Sequence, residues 1–130
     1  MKTIAIPILA VVLSFNLSCE KEQDETVTKT INVTLTSGES YTNKIMRHED
    51  ENLAITVQAE HASIAQLNSG TANGEMLFAY TSSEGYVGND QVQITATQAN
   101  QHVHGNCPAH NHHDESTVYV YKITVTGETH

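Results

Sequence analysis

Hydrophobic side chains recur at every second position through most of this chain. From Thr26 onward, Val27, Ile31, Val33 and Leu35 occupy odd positions, and threonines fill most places between them. A period of two, rich in β-branched residues, predicts strands that bury one face. The other alternating sets are Leu53, Ile55, Val57 and Ala59; Val92, Ile94 and Ala96; Tyr119, Tyr121, Ile123 and Val125; and shorter stretches at 63–67 and 76–80.

Turn-forming residues separate these stretches, as at Ser37-Gly38, Asn73-Gly74 and Gly88-Asn89. No segment keeps a 3.6-residue period with helix caps, so we expect little helix and no βαβ crossovers. Six or seven short strands separated by turns, within roughly 100 residues, favour an all-β sandwich.

Residues 1–18 have the layout of a secretory signal peptide. Lys2 supplies a positive start, an apolar run follows over 4–17, and charge appears at once over 20–25. The apolar run is too short for a comfortable transmembrane helix. We therefore expect this segment to be cleaved rather than to form part of the fold.

Cys19 stands at the predicted cleavage point and resembles the cysteine of the bacterial lipoprotein lipobox, which is acylated and becomes the first mature residue. The sequence departs from the lipobox at Asn16, where leucine is usual, and Leu17 comes one place late. The resemblance implies lipidation of Cys19 and an acidic tether over 19–25. It also implies that the protein is anchored to the bacterial outer membrane or cell surface, and the periplasmic face of the membrane is an alternative location. An ordinary signal peptide with an incidental cysteine is the alternative.

The charge balance restricts the partners of the chain. It carries 6 Lys and Arg against 15 Asp and Glu, a formal net charge of −9. Loss of Lys2 with the leader makes the mature chain more acidic still. Such a charge argues against nucleic acid and anionic lipid head groups as partners, and it is compatible with cation binding. If Cys19 is lipidated, Cys107 has no partner within the chain, which is unusual outside the cytoplasm.

The segment 77–97 contains a strand that ends in an aromatic–threonine pair, then the turn Gly85-Tyr86-Val87-Gly88-Asn89-Asp90, then an alternating strand. This order resembles the bacterial Ig-like and cadherin-like repeats of surface proteins, over residues 59–127. The chain departs from those repeats at Val92, where they carry a large aromatic residue, and at Ser82, where they carry proline.

The resemblance implies an Ig-like β-sandwich of about seven antiparallel strands over 26–130. Its last two strands, 90–97 and 117–125, would pair as a hairpin. Their connection, the His-rich loop at 98–116, is far longer than the few residues usual in such repeats. Long loops in small domains are commonly functional or disordered.

The segment 102–113 reads HVHGNCPAHNHH and holds five of the eight histidines and one of the two cysteines. Imidazole nitrogen and thiolate sulfur are ligands that zinc and copper prefer. An extended chain would place His102 and His104 on one face, Cys107 and His110 form a second chelating pair, and Gly105 allows the bend between them. The predicted ligands of a zinc or copper ion are His102, His104, Cys107, His110, His112 and His113.

Other chemistries fit this segment less well. Copper–zinc superoxide dismutases and cupredoxins share some of the spacing, but the first need ligands over a longer stretch and the second a following methionine. A Cys107–His nucleophile pair would need a preformed pocket. The acidic run 48–51 and the Asp90 turn offer oxygens to calcium without an EF-hand pattern, and read better as a solvated loop. We expect His48 and His61 to be surface or turn residues.

Two hypotheses for function follow. The first is a non-enzymatic cell-envelope lipoprotein that binds zinc or copper through the His/Cys-rich loop. The second is a structural or adhesive Ig-like module whose sheet faces contact a protein or a glycan.

Overall fold

The computed structural model describes residues 25–98 and 115–128. Within them the chain forms strands and turns and no helix, so no helix there is long and apolar enough to cross a membrane. The all-β class predicted from the alternation is confirmed. The strands are β1 (Thr26–Thr36), β2 (Ser40–Met46), β3 (Glu51–Val57), β4 (Ala62–Ser69), β5 (Glu75–Ser82), β6 (Gly88–Gln98) and β7 (Ser116–Thr126).

The described strands form two sheets, one in the order β1-β7-β6-β3 and the other in the order β2-β5-β4. The predicted hairpin of the last two strands is confirmed, because β6 and β7 pair antiparallel from Gly88↔Val125 to Ala96↔Thr117. The expectation of antiparallel strands throughout is wrong for β1, which runs parallel to β7 along its whole length. Alternation determines which face of a strand is buried, but it carries no information on which neighbour the strand pairs with.

The inward positions of both sheets meet in one core. Phe78 and Tyr121 are fully buried, with ring centroids 4.5 Å apart. The alternating sets in β6 and β7 supply much of the rest, as predicted. The buried cluster consists of Val33, Leu35, Ile45, Phe78, Tyr80, Val92, Ile94, Tyr121, Ile123 and Val125.

Two features of the strands are not predicted by the alternation of hydrophobic and polar residues. The alternation does not predict β2, because its partly buried Asn43 interrupts an apolar set. In the structure, Asn43 donates a hydrogen bond to the Tyr121 hydroxyl at 3.0 Å. The predicted inward run of β3 ends early, because a bulge between Ile55 and Val57 shifts the register. Val57 is left 40% exposed as a result.

The Asp90 carboxylate joins both sheets and the connection between them. It lies on β6, is only 8% exposed, and accepts a 3.0 Å hydrogen bond from the hydroxyl of Tyr80 on β5. It also accepts hydrogen bonds from the backbone N–H groups of Glu60 and His61, on the β3–β4 connection, and of Gln91. Both carboxylate oxygens therefore have two protein donors each, which offsets the cost of burying the group.

The glycines of the preceding turn allow this arrangement. Gly85 has φ +79° and Gly88 has φ +150°, conformations that L side chains rarely adopt. A Cβ on Gly88 would lie 2.7 Å from the Tyr86 hydroxyl, which donates a hydrogen bond to the Asn89 carbonyl. The turn that supports the Ig-like resemblance thus serves to place Asp90.

Replacement of Asp90 by Ala should destabilise the fold strongly. The buried Tyr80 hydroxyl and the partly buried N–H groups of Glu60 and His61 would lose their acceptor, at a cost of roughly 3 kcal/mol in the free energy of unfolding. Urea denaturation measures this value. Asn89→Ala is the matched control, because Asn89 is the exposed neighbour on the same strand and its loss should cost less than about 0.5 kcal/mol. Equal effects of the two substitutions would contradict the role assigned to Asp90.

The buried tyrosines should make stability fall at alkaline pH. Burial raises the pKa of Tyr121 to about 12, and burial together with the Asp90 carboxylate raises the pKa of Tyr80 further. Unfolded tyrosine ionises near pH ~10, so between there and about pH 12 the unfolded state loses protons that the folded state keeps. The free energy of unfolding should then fall by up to ~1.4 kcal/mol per pH unit for each such tyrosine. Tyr121→Phe should give a shallower decline above pH ~10 than the wild type; parallel profiles would refute this.

Candidate metal centre

The predicted metal ligands lie outside the described residues, as does Cys19, the predicted lipidation site. They are His102, His104, Cys107, His110, His112 and His113. The structure does describe the strands on either side of this segment, β6 ending at Gln98 and β7 beginning at Ser116. Since Ala96 and Thr117 are the last paired residues of this antiparallel hairpin, their Cα atoms lie about 5 Å apart. The hairpin therefore holds the two ends of the connection close together.

An acidic cleft of about 360 Å³ lies at this end of the sandwich, and we refer to it by that name below. Among the described residues, its lining contains four carboxylates, one imidazole and no lysine or arginine. The residues are His48, Glu49, Asp50, Glu51, Gln98, Glu115 and Thr117. Several like charges around one cleft produce a negative potential that attracts cations, over about 8 Å at physiological ionic strength.

The β2–β3 turn supplies most of this lining. The backbone N–H of Glu51 donates to the His48 carbonyl, and the Glu51 carboxylate accepts from the His48 backbone N–H, both at 3.0 Å. These bonds hold the turn closed beside the first pair of the β3–β6 ladder, Glu51↔Gln98. The acidic run is visible in the sequence, but its proximity to Gln98 and Glu115, at the two ends of the His-rich connection, arises from strand pairing alone.

His61 occupies the opposite end of the molecule. Its ring stacks on Tyr86, with centroids 4.1 Å apart and planes 9° from parallel, and its backbone N–H is held by Asp90. Asp90 lies near the start of β6, and the His-rich connection leaves the other end of that strand, about 25 Å away. Both His48 and His61 are exposed residues between strands, as expected, and of these two His48 lies beside the described ends of the connection, Gln98 and Glu115.

Among residues 25–98 and 115–128, no group of three or more His, Cys, Asp or Glu side chains is arranged to hold a metal ion. The Asp90 turn, which the sequence offered as a source of oxygens for calcium, has both carboxylate oxygens engaged by protein donors. The described part of the acidic cleft therefore supplies charge, and a ligand set for a transition metal would have to come from the connection.

A second cleft, of about 590 Å³, lies against the four-stranded sheet near the other end. Asn32, Lys122 and Gln91 form one row across β1, β7 and β6, because they are register neighbours. Thr34, Thr124 and Asn89 form the adjacent row. This outer face thus presents amide and hydroxyl groups with one ammonium, a chemistry suited to hydrogen bonding with a polar surface.

No family model matches the chain, and no curated protein matches it. Among solved structures, an endo-fucoidan hydrolase of glycoside hydrolase family 107 superposes with a TM-score of 0.49 at 8% identity, over 78% of this chain. The chain spans only 13% of the length of that hydrolase. A cysteine protease inhibitor from Entamoeba histolytica superposes with a TM-score of 0.46 at 8% identity, over 78% of this chain and 94% of its own.

Proposed function

We propose that this protein is a non-enzymatic, lipid-anchored protein of the bacterial cell envelope that binds zinc or copper through its His/Cys-rich connection. The ligands are three or four of the set His102, His104, Cys107, His110, His112 and His113. The anchor is a lipid on Cys19. The observation that supports the proposal is that the two strands on either side of this donor-rich segment pair with each other, and that the acidic cleft lies where they end.

The donors of the connection suit this chemistry. Zn²⁺ takes four ligands in a tetrahedron of imidazole and thiolate, and copper competes for the same donors by its higher intrinsic affinity. Donors within twelve consecutive residues, with both flanks held by a hairpin, have less conformational entropy to lose on binding than donors on a free chain. Asp114 and Glu115 follow the last histidines directly and can orient a ligand imidazole through its second nitrogen.

The acidic cleft supports cation capture. Glu49, Asp50 and Glu51 line the cleft together with Gln98 and Glu115, the described residues at the two ends of the segment that carries the ligands. Their field raises the local concentration of divalent cations and speeds association, most strongly at low ionic strength. Capture, buffering or delivery of a metal ion at the envelope requires binding and release, and it requires no reaction at the protein.

Titration calorimetry with Zn²⁺ and Cu²⁺ tests the proposal, on a chain starting at Glu20, which retains every described strand. We expect a dissociation constant in the micromolar range or below. Replacing His102, His104, Cys107 and His110 together by Ala should weaken binding at least about a hundredfold, since most of the ligand set is lost. Millimolar or absent binding, or an affinity unchanged in this variant, would contradict the proposal.

Two controls accompany this titration. His61→Ala removes a histidine at the far end of the sandwich, and the affinity should not change. Lowering the pH below about 6.5 should weaken binding of the wild type steeply, because the imidazoles become protonated and can no longer coordinate. An affinity that is the same at pH 5 and pH 7.5 would point to carboxylate ligands instead.

The polar cleft on the four-stranded sheet favours a second candidate, an adhesive module that contacts a glycan or protein. Its rows of amide and hydroxyl groups can donate to and accept from sugar hydroxyls. Glycan-array binding tests this candidate with the wild type and with the double variant Asn32→Ala, Gln91→Ala. Retention of the wild type on a glycan, with at least about tenfold weaker retention of the variant, would support it. Equal retention of both proteins would contradict it.

A further inference from the structure

Strand β1 lies at the edge of the four-stranded sheet that the described residues form. It pairs with β7 from Thr26↔Ser116 to Thr36↔Thr126 without a register shift. On its other side, no strand of the described residues pairs with it. A long, straight edge with free N–H and C=O groups is a template for a further strand.

The hydrogen bonds at both ends of β1 identify which of its backbone groups are free. The N–H of Ser37 donates to the Thr126 carbonyl, and the Glu25 carbonyl accepts from Ser116, so the odd positions bond to β7. Backbone groups alternate in direction along a strand, so the even positions point away from β7. The Thr36 N–H is already satisfied by the Glu39 carboxylate at 2.8 Å. The residues whose edge groups have no backbone partner among residues 25–98 and 115–128 are Thr26, Thr28, Thr30, Asn32 and Thr34.

The other sheet edges in the described part of the chain are shorter, and two of them are irregular. A bulge interrupts β3 between Ile55 and Val57, and another interrupts β4 between Ala62 and Ile64. Strand β2 has 7 residues against the 11 of β1, and it carries Lys44, which is salt-bridged to Glu75 at 3.3 Å. Bulges, short length and charge are the devices by which proteins protect an edge from pairing, and β1 has the fewest of them.

Charge also distinguishes this edge. The chain has a formal net charge of −9, which opposes association of two copies. Strand β1 carries no acidic residue, and its one charged side chain, Lys29, lies 5.4 Å from the centre of the Tyr119 ring. No carboxylate on β1 itself therefore opposes the pairing of this strand with that of a second copy.

We propose that β1 is a homodimer interface, at which two copies pair antiparallel about a two-fold axis through Thr30. In this register Thr30 faces itself, Thr28 faces Asn32 of the second copy, and Thr26 faces Thr34. Every free edge group on each strand then has a partner, which no other antiparallel register achieves with these residues. The two four-stranded sheets become one continuous sheet, and the hydroxyl and amide side chains pair across the junction.

Replacement of Thr30, the residue at the proposed two-fold axis, by proline tests whether β1 forms the dimer interface. Thr30→Pro removes an N–H that points to the open edge, at the kind of edge position where proteins tolerate proline. Thr30→Ala is the matched control, because it keeps that N–H. Sedimentation equilibrium of the purified protein, with EDTA present, should show a concentration-dependent dimer for the wild type and Thr30→Ala. Thr30→Pro should dimerise at least about tenfold more weakly. Circular dichroism verifies that the variant is folded.

A cross-link gives a second, independent measurement. Hydrogen-bonded antiparallel partners have Cα atoms about 5.5 Å apart, within the range of a disulfide. Thr30→Cys, with Cys19 and Cys107 replaced by Ser, should therefore form a covalent dimer on mild oxidation. Thr42→Cys, on the exposed face of β2, should not.

Two results would overturn the proposal. One is a wild-type protein that stays monomeric at concentrations of several hundred micromolar, and the other is equal dimerisation of Thr30→Pro and Thr30→Ala. Because EDTA is present and Cys107 is absent from the cross-linking variants, these outcomes do not depend on metal binding by the His/Cys-rich connection.

Discussion

The buried carboxylate of Asp90 is the interaction on which the architecture depends. A sandwich of two small sheets needs contacts that hold the sheets in place relative to each other. Here the Asp90 carboxylate on β6 accepts hydrogen bonds both from the Tyr80 hydroxyl in the opposite sheet and from the β3–β4 connection. The cost of burying a charge is offset because both oxygens are fully hydrogen-bonded. The glycines at 85 and 88 are the local requirement for this placement, and they also account for the turn signature in the sequence.

Much of this fold can be read from the chain, and the failures have identifiable physical causes. The inward residues of β6 are buried as predicted, and so are Tyr121, Ile123 and Val125 of β7, whereas Tyr119 is only partly buried. The alternation in β2 is hidden by Asn43, whose amide is accommodated only because Tyr121 accepts its hydrogen bond. The parallel partner of β1 and the bulge before Val57 depend on contacts between distant strands, so no local pattern records them. The proximity of His48 to the flanks of the His-rich connection has the same origin.

The residues that stabilise the fold and the candidate metal ligands lie in different parts of the sequence. The described strands form a core whose buried polar groups serve structure, whereas the donors with metal affinity are concentrated in the connection between β6 and β7. Such a division suits a binding protein, since a loop can exchange its ligand without disturbing the hydrogen bonds of the sandwich. In the proposed function, the acidic cleft attracts cations, and the thiolate of Cys107 and the histidines of the same segment provide selectivity between metals.

The electronic absorption spectrum of the Co²⁺-loaded protein tests this assignment most directly, because cobalt substitutes for zinc and reports both ligand type and geometry. Our account predicts the intense visible bands of a tetrahedral site and a sulfur-to-cobalt charge-transfer band that disappears in Cys107→Ser. The weak spectrum of an octahedral, all-oxygen cobalt ion, unchanged by that substitution, would contradict it.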